Sequence, residues 1–110
     1  MDHRWGHRIA VDLPIRVMHP GISRCEPGRL SNVSLGGALI MSPLDSTVGS
    51  RLQLSITIPS GDDSYESVID AYLVRRSEPG LGIEWAEFAP LEVIDLVRAL
   101  PPNAERQLAG

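Results

Sequence analysis

The chain has 110 residues, 43% of them hydrophobic and 22% charged, with a net charge of −4. That length supports one domain rather than two, and the balance excludes disorder, which needs low hydrophobicity and high charge. The negative charge argues against a general DNA or RNA binder, which needs a basic field over many phosphates, but it leaves room for a small anion held by a few local arginines.

Residues 1–8 are polar and charged around a lone Trp5 and read as an extended arm. From Ile9 the pattern alternates, with Val11, Leu13, Ile15 and Val17 on one face and Asp12, Pro14, Arg16 and Met18 on the other. A period of two predicts a half-buried strand. Pro14 donates no ladder hydrogen bond, so it predicts an edge position or a bulge. His19-Pro20-Gly21 is a turn signal. Residues 22–33 hold a second strand, interrupted near Pro27-Gly28, and a segment rich in small polar residues and glycine follows at Ser31–Gly37.

Ala38–Ser42 is a short apolar strand, and Pro43–Gly49 is a loop. Arg51–Ile58 alternates most cleanly, with Leu52, Leu54, Ile56 and Ile58 opposite Gln53, Ser55 and Thr57. A polar loop, Pro59–Asp63, leads to a strand over Tyr65–Arg76, where apolar residues fall on both faces and predict partial cover of both. Glu78-Pro79-Gly80 turns the chain into Leu81–Ala86, with Leu81, Ile83 and Trp85 pointing one way as core. After Pro90 the period changes. Val93, Ile94, Val97 and Leu100 recur at three- and four-residue spacing, which predicts an amphipathic helix over about 90–100, ended by Pro101-Pro102. The tail 103–110 reads as frayed.

Six short strands and one late helix imply a mostly antiparallel β fold, either a small barrel or a sandwich. The expected division is an arm over 1–8, a barrel with its terminal helix over 9–100, and a tail over 101–110. Cys25 is the single cysteine, so no internal disulfide and no thiolate zinc site is available. His3 and His7 lack a cysteine or carboxylate cluster, and no metal or cofactor is expected. No apolar run approaches a membrane span, and the start of the chain has no apolar leader block, so a cytoplasmic protein is expected.

Two features carry chemistry: Arg4 and Arg8, four apart in the arm, and Asn32-Val33-Ser34-Leu35-Gly36-Gly37 between two strands. In this order, about two dozen residues apart and beside these strands, they resemble the signature of the PilZ domain family: RxxxR followed by a D/N-x-S-x-x-G turn. Gly82-Ile83-Glu84-Trp85 resembles the family's closing strand with its large aromatic. The resemblance runs from Arg4 to about Leu100. It implies a six-stranded antiparallel barrel with a C-terminal helix, and binding of cyclic di-GMP, a bacterial second messenger.

On that resemblance the ligand-binding residues are Arg4, Arg8, Asn32, Ser34 and Gly37, with His3, Trp5 and Gly36 adjacent. Arginine suits the ligand because its planar fork bridges phosphate oxygens or the guanine O6/N7 edge, and it stacks on bases. The Asn32 side-chain oxygen would accept from guanine N1–H or N2–H. Aspartate is common in the family at that position and accepts more strongly. Ser34 either reaches the base or fixes the turn. Gly37 supplies positive φ or a close approach, and Gly36 shares that role. The residue before the first arginine, here His3, bears on whether one ligand or a stacked pair is bound. Trp5 stacks on a guanine or packs on the barrel, and Arg75-Arg76 is a candidate extension of the basic face.

The expected function is a receptor whose arm orders on binding cyclic di-GMP and signals to an effector protein, without membrane insertion. The alternative is a PilZ-fold adaptor that works through protein interaction without nucleotide. An enzyme ranks behind both, because Ser34 lacks a credible base and no acid/base pair or phosphate loop is present.

Overall fold

A computed structural model of the chain describes residues 8–20, 25–43, 46–78 and 80–100. His3, Arg4, Trp5, His7, Pro101-Pro102 and the tail lie outside them. The elements are β1 (Ile9–Met18), β2 (Cys25–Val33), β3 (Gly37–Met41), β4 (Arg51–Ser60), β5 (Asp63–Ser77), β6 (Gly80–Trp85) and α1 (Leu91–Ala99). The strands close into an antiparallel barrel in the order β1-β2-β3-β6-β5-β4. Closure leaves no open sheet edge, which decides between the barrel and the sandwich.

The alternation in β1 and β4 translates directly into packing. Ile15, Val17, Leu52, Leu54, Ile56 and Ile58 all point inward and are buried. Burying such a side chain contributes about 1.5–3 kcal/mol, against the entropy of ordering the chain. The β1–β4 ladder runs only from Ile15↔Ile56 to Met18↔Gln53. Pro14 and Pro59 fall outside it, so neither is asked for a hydrogen bond on that side. Pro14 itself pairs in register with Arg29, and the bulge of this strand lies before it, between Ala10 and Leu13.

The polar loop after β4 is much shorter than its composition implies. Pro59 and Ser60 stay in the ladder, opposite Ser64 and Asp63, and only Gly61-Asp62 turn. Gly61 has φ +61°, the conformation a two-residue hairpin with glycine first requires. Of the two apolar faces of β5, one is covered. Ile69, Ala71 and Leu73 are buried, whereas Val68, Tyr72 and Val74 stand exposed on the outer wall. A closed barrel has a single interior, so the second face has nothing to pack against among the described residues.

The helix packs against β4. Its buried centre is Val93 and Leu96, with Val97 and Leu100 packed at the margin. Leu96 takes the place given to Ile94 in the sequence pattern, while Val93, Val97 and Leu100 keep theirs. Glu92 in the first turn and Arg98 in the last complement the helix dipole. Leu100 is already extended, at ψ 145°, as a residue preceding proline prefers. Among the described residues, no helix is long and apolar enough to cross a membrane.

Candidate ligand-binding site

The segment Ser34–Gly37 joins β2 to β3 and is held from within. The Ser34 amide donates to the Gly37 carbonyl at 2.8 Å. The Gly37 amide donates to Ser34 Oγ at 3.2 Å, and the hydroxyl returns a bond to the Gly37 carbonyl at 3.3 Å. Ser34 is buried, at 6% exposure. Of its two expected roles, fixing the turn is the one its geometry performs.

Gly37 is required by proximity and not by torsion, since its φ is not positive. A Cβ there would lie 2.1 Å from the Ile83 carbonyl oxygen of β6. Real side chains do not approach backbone so closely, so the β3–β6 closure depends on this glycine. Gly36 is different. A Cβ there would sit 3.8 Å from the Phe88 ring, an ordinary contact.

The turn is also fastened to the strand that closes the barrel. The Trp85 amide donates to the Gly36 carbonyl at 3.1 Å. The Trp85 indole N–H donates to the Ser34 carbonyl at 3.0 Å. Trp85 is 3% exposed, so it is core as expected, and its polar edge anchors the turn as well.

Asn32 stands on β2 where the ladder to β3 slips between Leu30 and Asn32. Its Oδ1 accepts the Leu39 amide at 3.2 Å and Arg8 Nη1 at 2.8 Å. Both partners are donors, so the oxygen is identified by its bonds and Nδ2 is the other half of the amide. The acceptor assigned to guanine is therefore already engaged. The cause is local: the slipped ladder turns the Leu39 amide toward the side chain, and an exposed guanidinium takes the remaining lone pair.

Arg8 also departs from the picture of a loose arm. It immediately precedes Ile9, which pairs with Val33, and Ala10 pairs with Asn32. Strand pairing thus fixes the backbone beside it, and the side chain rests against Asn32. Arg8, Gly36, Gly37, Val74, Glu84 and Phe88 border one open cleft of about 430 Å³. The structure thus brings Arg8 together with the turn, while Arg4, His3 and Trp5 are beyond the described residues.

Arg75 and Arg76 do not form a joint patch with that cleft. Arg75 lies across Gly82, with its Nε 3.4 Å from where a Cβ would stand. Arg76 Nη1 donates to the Ser46 carbonyl at 2.9 Å. Sequence reasoning missed Val74, Glu84 and Phe88 as lining residues. Phe88 follows a strand end in a stretch with no periodicity, Ala86-Glu87-Phe88-Ala89-Pro90, so the only signal was an aromatic among small residues.

The described strands form a closed six-stranded barrel that sets an arginine against a fastened Asn-x-Ser-x-x-Gly turn. The PilZ domain model matches residues 2–100, and the chain belongs to the PilZ domain family, whose members are generally cyclic di-GMP receptor modules. Among solved structures it is similar to the PilZ domain of CeSA from a cellulose-synthesizing bacterium. That match has 19% identity and a TM-score of 0.65, and it covers 84% of this chain and 92% of that one. At this identity the likeness shows the fold. No curated protein matches the chain significantly.

Proposed function

We propose that this chain binds cyclic di-GMP at the cleft between Arg8 and the Asn32–Gly37 turn. The observation that carries the reading is the Arg8–Asn32 hydrogen bond, which sets both halves of the family motif on one face. Arg8 offers the fork for a phosphodiester or a guanine O6/N7 edge. Asn32 offers Nδ2 as a donor as it stands, or Oδ1 as an acceptor once Arg8 swings onto the ligand. Ser34 and Gly37 shape the platform, and Gly36 keeps it open. Arg4 joins Arg8 on the anion, with His3 and Trp5 beside it.

Ligand would then hold the arm before Arg8 against the barrel and create a surface for an effector protein. The coupled ordering of the arm costs part of the interaction energy. The messenger is made and read inside bacterial cells, so the receptor works in the cytoplasm. The chain acts by binding and not by catalysis, and no metal or cofactor enters the scheme.

The adaptor reading has one observation in its favour, since Asn32 Oδ1 already accepts from Arg8 and Leu39. Calorimetric titration of the full chain with cyclic di-GMP separates the two. The receptor reading expects saturable heat with a Kd in the micromolar range, equivalent to about 8 kcal/mol. No heat at tens of micromolar protein would sink it.

A further inference from the structure

The outer wall of the barrel carries an apolar stripe. Val68, Tyr72 and Val74 follow one another along the outward side of β5, at 51%, 41% and 47% exposure. Alternation turns them outward because Ile69, Ala71 and Leu73 between them fill the interior. Asp70 also falls on this side, but it is drawn off the stripe toward β4, where Arg51 Nη2 and Gln53 Nε2 both donate to it. Tyr72 stands at the middle of a row that crosses three strands. Its register partners are Arg51 on β4 and Glu84 on β6. Neighbouring strands lie about 5 Å apart, so a positive and a negative charge flank the aromatic centre at similar distances. Contiguous apolar surface with a polar rim marks an interaction site.

Two such walls match each other in one arrangement. A twofold axis running along β5 through Tyr72 lays the stripe of one copy on the same stripe of the other. It also brings each Arg51 over Glu84 of the second copy. A twofold axis running across the strands would oppose Arg51 to Arg51 and Glu84 to Glu84, which like-charge repulsion disfavours. Charge complementarity thus selects both the occupant, a second copy of this chain, and the axis. We propose that the chain forms an isologous dimer through the outer wall of β5, with Val68, Tyr72 and Val74 at its centre and an Arg51–Glu84 pair on each flank. Arg51 keeps its bond to Asp70, since a guanidinium has five N–H donors to share. The patch is small, so the dimer is weak, with a Kd on the order of micromolar or above. Val74 and Glu84 also border the cleft, yet the pairing needs no nucleotide, and its test does not depend on the receptor reading.

Sedimentation of the full chain over a concentration series, without cyclic di-GMP, tests this. The parent chain should pass from monomer toward dimer by about 1 mM, a range that reaches any Kd of the micromolar class. Tyr72→Glu sets two carboxylates against each other on the axis and should leave a monomer throughout. Glu84→Arg sets an arginine against Arg51 and should raise the Kd at least about tenfold. The decisive variant is the charge reversal, made in an Asp70→Asn chain so that the new carboxylate has no like charge beside it. There Glu84→Arg should again weaken the dimer, and adding Arg51→Glu should restore it to within about threefold of the Asp70→Asn chain. These side chains all reach the surface, so at low concentration each variant should melt near the parent temperature. A parent chain that stays monomeric at the highest concentration overturns the proposal. So does a dimer that Glu84→Arg leaves intact or that the reversal fails to restore, because another face or another axis then holds the copies together.

Discussion

Gly37 and Arg8 border the same cleft, yet the molecule holds them by different means. Gly37 is locked between strands, with the Ile83 carbonyl where its Cβ would be and its amide bonded to Ser34. Arg8 is exposed and donates to Asn32 Oδ1 at 2.8 Å. One side of the cleft is therefore part of barrel closure, and the other is a charged group resting on a neutral amide. A wall fixed by folding can present a preformed surface at no further entropic cost. A resting arginine can exchange partners when an anion arrives.

Substitution should separate the two sides cleanly. Gly37→Ala forces β3 away from β6, and overpacking against backbone should destabilise the barrel by about 3 kcal/mol. Thermal melting should then fall by roughly 15 °C for a domain of this size. Arg8→Ala should leave melting nearly unchanged, as exposed substitutions usually do, while weakening cyclic di-GMP at least about tenfold in titration. A stable Gly37→Ala protein, or an Arg8→Ala protein that binds normally, would break the distinction.

The same division explains what could be read from the residues in advance. Alternation in β1, β4 and β6 is a local signal, and those strands and their buried faces followed from it. The Ser34–Gly37 turn was readable because glycine and small polar residues have local causes. Phe88 was not readable, because its place depends on the Ala89 amide reaching the Leu35 carbonyl from far along the chain. The occupied acceptor of Asn32 was hidden for a similar reason: it follows from a register shift between β2 and β3, which no periodicity reports. The exposed outer face of β5 follows from closure, a property of the whole sheet.

Asn32→Asp sharpens the comparison, because Asn32 touches both sides. An aspartate can keep one oxygen on Arg8 and Leu39 and turn the other toward the cleft, replacing the Nδ2 donor by a charged acceptor. If guanine presents its N–H edge here, affinity should rise by about threefold to tenfold, since charge-assisted bonds are stronger. Weaker binding in the titration would show that the ligand takes its hydrogen bond from Nδ2, with its O6/N7 edge facing Asn32.

A third arginine supplies the control with the smallest expected effect. Arg51 Nη2 pairs with Asp70 Oδ2 at 2.6 Å on the barrel wall, and Gln53 Nε2 donates to Asp70 Oδ1 at 3.0 Å. Neither Arg51 nor Asp70 lines the cleft. The Gln53 hydrogen bond, followed by that of Arg51, holds the Asp70 carboxyl below its ordinary value of 3.8. A carboxyl depressed in the folded state stabilises the fold above its unfolded pKa, and this contribution is lost as pH falls through the folded value. Melting temperature should therefore decline below about pH 4, and Asp70→Asn should flatten a small part of that decline. The exposed pair is screened by solvent and salt, so the change at neutral pH should be slight. Affinity for cyclic di-GMP should not move at all. If it did, an exposed arginine pair outside the cleft would matter as much as Arg8, and the Arg8 effect would reflect the general field of the barrel instead of contact with the ligand.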